Sequence, residues 1–407
     1  MKILVLSRNY RPELTGIGPY TTDLCEYLAQ HGENVTAITS FPYYPHWSVS
    51  GEYRRKWILR ERINGVNVLR TYMRVRKGPL RQFYHEFSFS VSALLAVFQI
   101  DKDYDIILCI SPPLTLGVVA HFFSKILRIP FVFHIQDILP DTAVNLGILK
   151  EGKVVQAFRY MERHIYEKAT AIGVISHGFL ENLRNKGIPE LKINYLPNWI
   201  DLDMIQPLQR DNIFRKDNEI SSETFVVLYS GNIGNKQGLE ILLDTASILE
   251  QHTDIVLFIV GEGSCKSALV DKAQKRRVSN VHFLTLQPKE TLPYMLSAAD
   301  SLVITQQANV VDIVLPSKLL SYMASGNPVV ASVNSNSETA VLINQAESGL
   351  VVEPGNAEAL AQAIIRLRNS ENLRTNLGSN GRSYVSEHFE RSAILQKFRE
   401  LIYRVVG

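Results

Sequence analysis

Short apolar runs rich in β-branched residues alternate with longer amphipathic stretches along almost the whole chain. The runs have the length and composition of β-strands, and amphipathic stretches such as Tyr20–Gln30 end at helix stop signals such as Gly32. Continuous apolar strands that alternate with helices predict parallel sheets covered on both faces. The predicted strands are Ile3–Leu6, Val35–Thr39, Val66–Thr71, Ile106–Ile110, Phe131–His134, Ala171–Ile175, Ile193–Leu196, Phe225–Ser230, Ile255–Val260, Val281–Leu284, Leu302–Thr305, Pro328–Ser332 and Leu350–Val352.

The alternation breaks once, in a polar stretch over residues 204–223 that carries Pro207 and predicts an inter-domain linker. We therefore expect two α/β domains, an N-terminal one over 1–203 and a C-terminal one over 224–387. Each is expected to be a Rossmann-like, doubly wound parallel sheet. Ligands of such sheets bind at the carboxyl ends of the strands, so two facing domains predict a site in the cleft between them.

Composition and charge narrow the possible functions only a little. Of the 407 residues 46% are hydrophobic and 20% charged, which excludes wholesale disorder, and the net charge of +3 alone indicates neither nucleic acid nor membrane. The three cysteines, Cys25, Cys109 and Cys265, lie too far apart for metal-ligand spacing, and an odd number cannot close a disulfide framework. We expect no metal site and a reducing, cytoplasmic setting.

No segment reads as a targeting or membrane-spanning element. The apolar run at the start is four residues long, shorter than the roughly 7–15 of a secretory signal. The longest hydrophobic stretch, Phe87–Ile100, is interrupted by polar residues and falls short of the roughly 20 residues that cross a bilayer. A soluble or surface-associated protein is expected.

The loop after the first strand contains Gly16 and Gly18, followed by Pro19 at a favourable first helical position. Such a loop can cradle a phosphate with backbone N–H groups, although a tight turn without a ligand has the same sequence. The third glycine of a dinucleotide fingerprint is replaced by Thr21, and no acidic residue ends the second strand. Nicotinamide binding is therefore disfavoured.

Two further glycine loops follow strands of the second domain, one over 230–238 and one over 260–264. Three glycine loops in the same position relative to their strands favour phosphate binding over simple turns. Within the first of these loops, Asn232 and Lys236 can face a phosphate or a sugar. A solvated loop lysine is the alternative for Lys236.

Pro316 and Ser317 begin a predicted helix that Gly326 ends, and Lys318 lies in its first turn. A cation there opposes the helix dipole at a cost of a few tenths of a kcal/mol, unless an anion is bound nearby. The pattern therefore favours an anion site, and a pyrophosphate would make Lys318 stabilising.

Taken together, these motifs resemble the retaining GT-B glycosyltransferases of the glycogen-synthase-like superfamily (glycosyltransferase family 4). Within it, the chain is most similar to the colanic acid branch that builds bacterial exopolysaccharide. The resemblance covers nearly the whole chain. It rests on Pro12–Gly18, Pro42–Pro45, His134–Asp137, Leu196–Trp199, Ser230–Gly234, Gln237–Glu240, Leu315–Lys318, Pro328–Ala331, Glu338 and Gly349–Pro354.

The resemblance implies transfer of a sugar from a nucleotide-sugar donor, a UDP- or GDP-sugar, with retained anomeric configuration and neither metal nor cofactor. It places the acceptor on the first domain and the donor on the second, and lets a C-terminal helix over 388–407 cross back to the first domain. Gly16 and Gly18 are expected to close over the diphosphate. The residues expected to bind the donor are Gly231, Asn232, Lys236, Gly261, Glu262, Ser317, Lys318, Leu319 and Glu338.

The chain departs from the superfamily pattern at two places. The Arg and Lys that usually follow the first glycine of the second domain are replaced by Asn232 and Gln237. The usual pair of glutamates is replaced by Ile313 and Ser321, with Asp312 beside the first. Neutralisation of the diphosphate is therefore expected to fall to Lys318 and Lys236.

Three residues are candidates for catalysis: Lys318, His134 and Asp137. His134 ends a strand and can contact the donor sugar or orient the acceptor, or it can cap the strand end through hydrogen bonds. Asp137 follows as an acceptor-side acid/base or as a helix N-cap. Because the family is pictured with the leaving phosphate as base, no carboxylate nucleophile is assigned.

Residues 54–81 form a strongly basic stretch in which Glu52 and Glu61 are the neighbouring acids. An amphipathic run over 83–99 follows, with Phe83, Phe87, Val91, Leu94, Leu95 and Phe98 at helical spacing. Together they suit an anionic membrane surface or a lipid diphosphate acceptor, while a packed helix with solvated arginines is the alternative. The basic residues are Arg54, Arg55, Lys56, Arg60, Arg62, Arg70, Arg74, Arg76, Lys77 and Arg81.

The leading hypothesis is a glycosyltransferase that acts on a lipid-linked saccharide at the inner face of the bacterial cytoplasmic membrane, as a peripheral cytoplasmic protein. The first alternative is a nucleotide-sugar epimerase of the same architecture, which needs acid/base carboxylates in the cleft. The second is a degenerate nucleotide-sugar-binding subunit, suggested by the missing glutamate pair. No nucleic-acid reading module accompanies the basic charge, so nucleic acid is not expected as a partner.

Overall fold

The computed structural model describes residues 1–13, 16–43, 48–49, 51–75, 81–145, 149–308 and 317–407. The chain divides into two compact units. The first consists of Met1–Pro197 together with Ile394–Gly407, and the second of Asn198–Ala393. Each unit is built around one sheet with helices on its faces.

The sheet of the first unit has eight strands in the order β3-β4-β2-β1-β5-β6-β7-β8. All neighbours are parallel except β3 and β4. The strands are β1 (Lys2–Ser7), β2 (Asn34–Ser40), β3 (Ile58–Ile63), β4 (Val66–Thr71), β5 (Ile106–Ser111), β6 (Phe131–Ile135), β7 (Ala171–Val174) and β8 (Ile193–Tyr195). The helices are α1 (Gly18–Gln30), α2 (Arg81–Leu95), α3 (Thr115–Leu127), α4 (Asp141–Asn145), α5 (Lys153–Lys168) and α6 (His177–Asn185).

The sheet of the second unit has six strands, all parallel, in the order β11-β10-β9-β12-β13-β14. The strands are β9 (Phe225–Ser230), β10 (Ile255–Val260), β11 (Val281–Leu284), β12 (Ser301–Thr305), β13 (Val329–Ser332) and β14 (Gly349–Val352). The helices are α7 (Ile213–Asp217), α8 (Glu240–Leu249), α9 (Lys266–Arg276), α10 (Leu292–Ser297), α11 (Ser317–Ala324), α12 (Glu338–Gln345), α13 (Ala357–Arg368) and α14 (Glu371–His388). Two apolar clusters, one on each face of this sheet, make up its core.

All thirteen predicted strands are present, with ends that agree within one residue, and both predicted parallel sheets are confirmed. The strand that the sequence did not reveal is β3, the antiparallel edge strand of the first sheet. Its residues alternate between half-buried and exposed, and three of them are charged. An edge strand of this kind lacks the continuous apolar run by which the buried parallel strands were recognised.

Residues 204–223, expected to be a linker, lie within the second unit. They contain α7, which Asn212 caps by accepting a hydrogen bond from the Phe214 amide at 2.9 Å. Phe214 is buried in the core of this unit, and Arg215 is buried beside it. Despite its polar composition, the segment therefore packs into the second unit through two large side chains and is not a free linker.

The last helix, α15 (Arg391–Val406), supplies residues 394–407 to the first unit. Its Phe398 ring meets the His134 ring edge-on, with centroids 4.9 Å apart. The Tyr403 hydroxyl donates to Glu33 at 2.6 Å, and the Tyr27 hydroxyl donates to Gln396 at 3.2 Å. Within the part of the chain that the structure describes, no helix combines the length and apolar character needed to cross a membrane.

Candidate functional site

The order of strands marks one position in each sheet where the chain reverses its direction of winding. Strand β1 lies between β2 and β5, and strand β9 lies between β10 and β12. Loops at the carboxyl end of such a pair form the usual ligand crevice of an open α/β sheet. Gly16 and Gly18 follow β1, and Gly231 follows β9, so the predicted glycine loops occupy these positions.

The two glycine loops of the second unit lie side by side and are joined by backbone hydrogen bonds. The Gly231 amide donates to the Val260 carbonyl at 2.9 Å, and the Ile233 amide donates to the Glu262 carbonyl at 2.9 Å. A Cβ on Gly261, whose φ is +147°, would lie 1.9 Å from the Gly231 carbonyl oxygen. No other residue fits there, because the contact is with backbone that cannot move aside. The loops therefore present a continuous backbone surface to a ligand.

Lys318 lies over the first of these loops. Its ammonium would be 2.8 Å from a Cβ on Gly231, and it donates a hydrogen bond to the Tyr229 hydroxyl at 2.9 Å. The same nitrogen is 4.0 Å from the centroid of the Tyr229 ring, a cation–π distance. Helix α11 thus brings its first-turn lysine to the backbone where a phosphate is expected.

The partly buried position of Lys318 changes the pKa of its ammonium group. Removal from water lowers the pKa of Lys318 to about 7. Among the described residues no carboxylate forms an ion pair with it, while Asp312 and Ile313 lie outside the described residues. Lys318 is half-buried. A partly desolvated cation with no carboxylate partner among the described residues favours the binding of an anion.

The aromatic residues beneath Lys318 are held by hydrogen bonds to the loop. The Tyr229 hydroxyl donates to the Asn232 carbonyl at 2.6 Å, which leaves its lone pair to accept from Lys318. The Tyr322 hydroxyl accepts from the Ser230 amide at 2.8 Å. Burial raises the pKa of both phenols, so they stay protonated and act as hydrogen-bonding supports.

The remaining polar candidates of the two loops are more exposed. Asn232 donates to the Gln237 side chain at 3.5 Å, and the Lys236 carbonyl accepts from the Gln307 amide at 3.0 Å. The Glu262 carboxylate is paired with Lys266 at 2.8 Å. The Glu262 side chain is 56% exposed, so the pair leaves it accessible to a ligand.

The other donor candidates lie at the same carboxyl edge of the second sheet. Ser317 is exposed at the start of α11, where free N–H groups point outward. Leu319 is fully buried in the core, so its backbone rather than its side chain is available to a ligand. Glu338 begins α12 after β13 and is half-buried, and Ser321 lies within α11.

In the first unit, the loop after β1 is fastened to the loop after β2. The buried Glu13 accepts from the Asn9 side chain and from the Tyr43 amide, the latter at 3.0 Å. Gly16 has a φ of +63° with open space around its Cβ position, and Gly18 begins α1. Leu14 and Thr15 of this motif, and Tyr44 and Pro45 of the next, lie outside the described residues.

His134 lies in the core of the first unit. Its side chain is 2% exposed, and its Nε2 is 3.1 Å from the Leu196 carbonyl oxygen. A Cβ on Gly173 would meet its ring at 2.6 Å. Burial lowers the pKa of His134 to about 4, so it is neutral at ordinary pH. The geometry favours the strand-capping role over contact with a sugar, whereas Asp137 is half-buried beyond the end of β6.

Sequence reasoning missed the supporting residues Tyr229, Tyr322 and Lys266. Tyr229 is the last but one residue of an apolar strand, and Tyr322 lies on the buried face of α11, so both read as core. The feature that could have indicated Tyr229 is a tyrosine, which has a polar hydroxyl on an apolar ring, at the carboxyl end of a strand. Among the described residues, no group of three or more His, Cys, Asp and Glu side chains is placed to hold a metal ion.

Comparison with known proteins identifies both halves of the chain. Residues 15–199 match the glycosyl transferase 4-like domain, and residues 210–384 match the glycosyl transferases group 1 family. The chain is 32% identical over 407 residues to WcaI of Escherichia coli (strain K12), a candidate colanic acid biosynthesis glycosyl transferase. That alignment covers 98% of each protein.

Solved structures show the same fold at low sequence identity. The sucrose-phosphate synthase of Thermosynechococcus elongatus superposes with a TM-score of 0.77 at 20% identity, covering 99% of this chain and 98% of that one. Anabaena HepE, solved with UDP-glucose, gives 0.71 at 18% identity, covering 99% of this chain and 100% of that one. With both halves matched and a full-length relative at this identity, the chain belongs to the group 1 glycosyltransferases and has their GT-B fold.

Proposed function

We propose that this glycosyltransferase moves a sugar from a nucleotide-sugar donor to a lipid-linked saccharide, with retained anomeric configuration and without a metal ion, in the synthesis of a bacterial surface polysaccharide. The observation that carries the proposal is the desolvated Lys318 ammonium over the glycine loop at Gly231. The similarity to a colanic acid protein supports the product class, and HepE with UDP-glucose supports the donor class.

The Lys318 ammonium suits the charge that develops during transfer. As the bond between the anomeric carbon and the phosphate oxygen breaks, the leaving diphosphate gains negative charge. The ammonium and the free N–H groups at the start of α11 are fixed donors in a partly dry site, where such charge is stabilised most. Donor binding also gives Lys318 the counter-charge that it lacks among the described residues.

The transfer needs no carboxylate nucleophile in this proposal. The acceptor hydroxyl oxygen forms the new bond to the anomeric carbon on the face that the phosphate leaves. Its proton passes to the departing phosphate oxygen, so charge and atoms balance. With the phosphate oxygen as base, no proton transfer is left for Asp137, which lies half-buried beyond β6. His134 is proposed to hold the loop after β8 in place through its contact with the Leu196 carbonyl.

A lipid-linked acceptor requires contact with a membrane, and the first unit has a surface that suits one. Helices α2 and α3 pack together, with the Ser90 and Thr115 hydroxyls 2.7 Å apart. Each helix leaves large apolar side chains exposed at intervals of about one turn, while Phe89 and Ala93 on the other side of α2 are buried. This apolar surface consists of Phe87, Val91, Leu95, Phe98, Val118, Phe122 and Ile126.

Positive charge accompanies the apolar surface. Arg60 donates to the Gln99 carbonyl in the 3-10 turn that follows α2 (Ala96–Gln99), and this bond joins the basic stretch to the apolar surface. Arg54, Arg55, Lys56, Arg60, Arg62 and Arg74 are exposed. Arg70 is a correction to the predicted surface, because it is 1% exposed and bonds to Glu61 and the Arg11 and Ser40 carbonyls. Exposed cations beside apolar side chains favour an anionic bilayer as the partner.

A donor panel tests the proposed reaction. The protein is incubated with UDP-, GDP- and dTDP-sugars, and the products are followed by NMR. Slow release of free sugar from one donor, with the anomeric configuration retained, supports the transferase, and it should persist in EDTA. Inversion at C2 of an intact donor would identify an epimerase, and binding without turnover would identify a binding subunit.

A further inference from the structure

A second pocket lies in the first unit, at the carboxyl edge of its sheet. Strand β2 ends at Ser40 and strand β4 at Thr71, and the residues just beyond them, Phe41 and Tyr72, line a pocket of about 410 Å³. The stretch from Tyr53 to Trp57, which leads into β3, forms another wall. This is the edge at which parallel sheets bind ligands.

The pocket contains an exposed aromatic platform. Trp57 is 72% exposed, and its ring lies 4.6 Å from the Tyr72 ring, with 35° between their planes. The Tyr72 amide donates to the Trp57 carbonyl at 3.0 Å, which fixes the two residues side by side. A large aromatic side chain supported on one side and open on the rest gains most when a ligand covers it.

Among the described residues, the lining contains four cations and no acidic residue. The cations are Arg54, Arg55, Lys56 and Arg74. None of the four has an ion pair among the residues that the structure describes, and the Arg74 guanidinium lies over the Tyr84 ring at 5.7 Å. Unpaired cations around an aromatic platform favour a ligand with both a negative charge and an apolar face.

The backbone at Arg55 allows a specific test of this pocket. Its φ is +67°, in the left-handed region that glycine or asparagine usually fills. Arg128 and Arg277 have the same conformation at the ends of α3 and α9, so the conformation alone indicates no binding site. A glycine at position 55 would therefore remove the guanidinium without straining the backbone.

We propose that this pocket binds an anionic saccharide, with one pyranose ring against Trp57 and its phosphate or carboxylate held by Arg55, Lys56 and Arg74. The C–H groups on a pyranose face carry partial positive charge, which complements the negative face of an indole. The inference rests on the proposed function, since it names the chemistry of an acceptor. The anionic group comes either from the diphosphate of a lipid carrier or from a uronic acid in the growing glycan.

Calorimetry on the full-length protein tests the proposal with three soluble probes. They are a glucose diphosphate ester of a short prenyl alcohol, a glucuronic acid disaccharide and a neutral disaccharide of the same size. We expect one anionic probe to bind at least about tenfold more tightly than the neutral one, and to lose affinity when salt is raised. The probe that binds identifies the source of the charge.

Two variants and a control locate the binding. Trp57→Ala should weaken the anionic probe at least about tenfold, with the Kd for UDP unchanged. Arg55→Gly should weaken it while the melting temperature stays the same or rises, because glycine accepts the left-handed backbone. Arg62→Ala, on exposed β3 outside the pocket, should change neither.

The pocket assignment would be overturned if neither anionic probe bound more tightly than the neutral disaccharide, or if binding were unchanged in both variants. That failure is distinct from failure of the proposed function, which would appear as no turnover of any donor by the unaltered protein. If the protein hydrolyses its donor but Trp57→Ala does not weaken the anionic probe, the proposed function stands and only the pocket assignment is refuted.

Discussion

Arg215 and Asp300 form an ion pair in the interior of the second unit. The Arg215 guanidinium lies 2.9 Å from the Asp300 carboxylate, and the two side chains are 2% and 5% exposed. Asp300 also accepts from Arg210 at 2.6 Å and from the Val226 amide at 2.7 Å. One carboxylate thus holds α7 and the start of the central strand β9 together.

Replacement Asp300→Ala should destabilise the protein strongly. It leaves the buried Arg215 without its counter-charge, and breaking such a pair typically costs about 3–5 kcal/mol. Chemical denaturation measures the change. Asp254→Ala is the control, because its pair with Arg368 is partly exposed and should contribute at most about 1 kcal/mol. Equal effects of the two substitutions would contradict the structural role given to Asp300.

Lys318→Ala should reduce turnover at least about 100-fold with folding intact, equivalent to about 3 kcal/mol of transition-state stabilisation. The physical reason is the loss of the cation nearest to the glycine loop at Gly231. Initial rates of sugar release measure the effect, and circular dichroism checks the fold. Lys275→Ala, an exposed lysine on α9, serves as the matched control. Near-normal turnover in Lys318→Ala would refute the assignment.

Donor affinity should fall as pH rises above neutrality. Burial holds the pKa of Lys318 at about 7 in the free protein, and a bound diphosphate raises it by supplying negative charge. Below pH 7 the lysine is already charged, so affinity is highest there. Above pH 7 binding must take up a proton, so affinity declines by up to about tenfold per pH unit.

Titration calorimetry between about pH 6 and 8.5 in buffers of different ionisation enthalpy measures both the affinity and the proton uptake. A nucleotide sugar is the suitable ligand, since its diphosphate does not titrate in this range. Lys318→Gln should bind weakly with a flat pH profile. A profile in Lys318→Gln parallel to that of the unaltered protein would assign the titration to another group.

Membrane association should depend on both charge and apolar surface. The protein should float with vesicles containing phosphatidylglycerol and not with neutral phosphatidylcholine vesicles. Phe98→Asp should reduce flotation several-fold, because Phe98 is 82% exposed in the 3-10 turn that follows α2. Leu191→Asp is the control, because Leu191 is an even more exposed apolar residue of the same unit, at 98%, and lies outside this surface. No preference between the two lipids would eliminate the membrane proposal.

The parallel strands could be predicted because both of their faces are buried, which imposes continuous apolar runs. Strand β3 could not, since its exposed edge position permits residues such as Arg60 and Arg62. The segment at 204–223 was misleading for a related reason. Its composition is polar, but the Phe214 and Arg215 side chains are buried against residues about 80 positions later in the sequence. A local sequence pattern cannot reveal contacts of that kind.

The residues of the candidate site also differ in whether the sequence could reveal them. The position of Lys318 in the first turn of α11 could be predicted from the sequence, whereas its role toward a ligand stays a prediction. Tyr229 could not, since an aromatic residue in an apolar strand is indistinguishable from core until its hydroxyl is located. His134 illustrates the converse, because its position at a strand end suggested chemistry while its environment is apolar.

The contribution of residues 394–407 to the first unit has a consequence for the order of events during biosynthesis. Leu395 and Phe398 are buried in a unit whose remaining part, outside residues 394–407, ends at Pro197. On the ribosome, the first sheet must therefore wait for the entire second unit to be made before its packing is complete. The first unit is therefore begun first and completed last during synthesis of the chain.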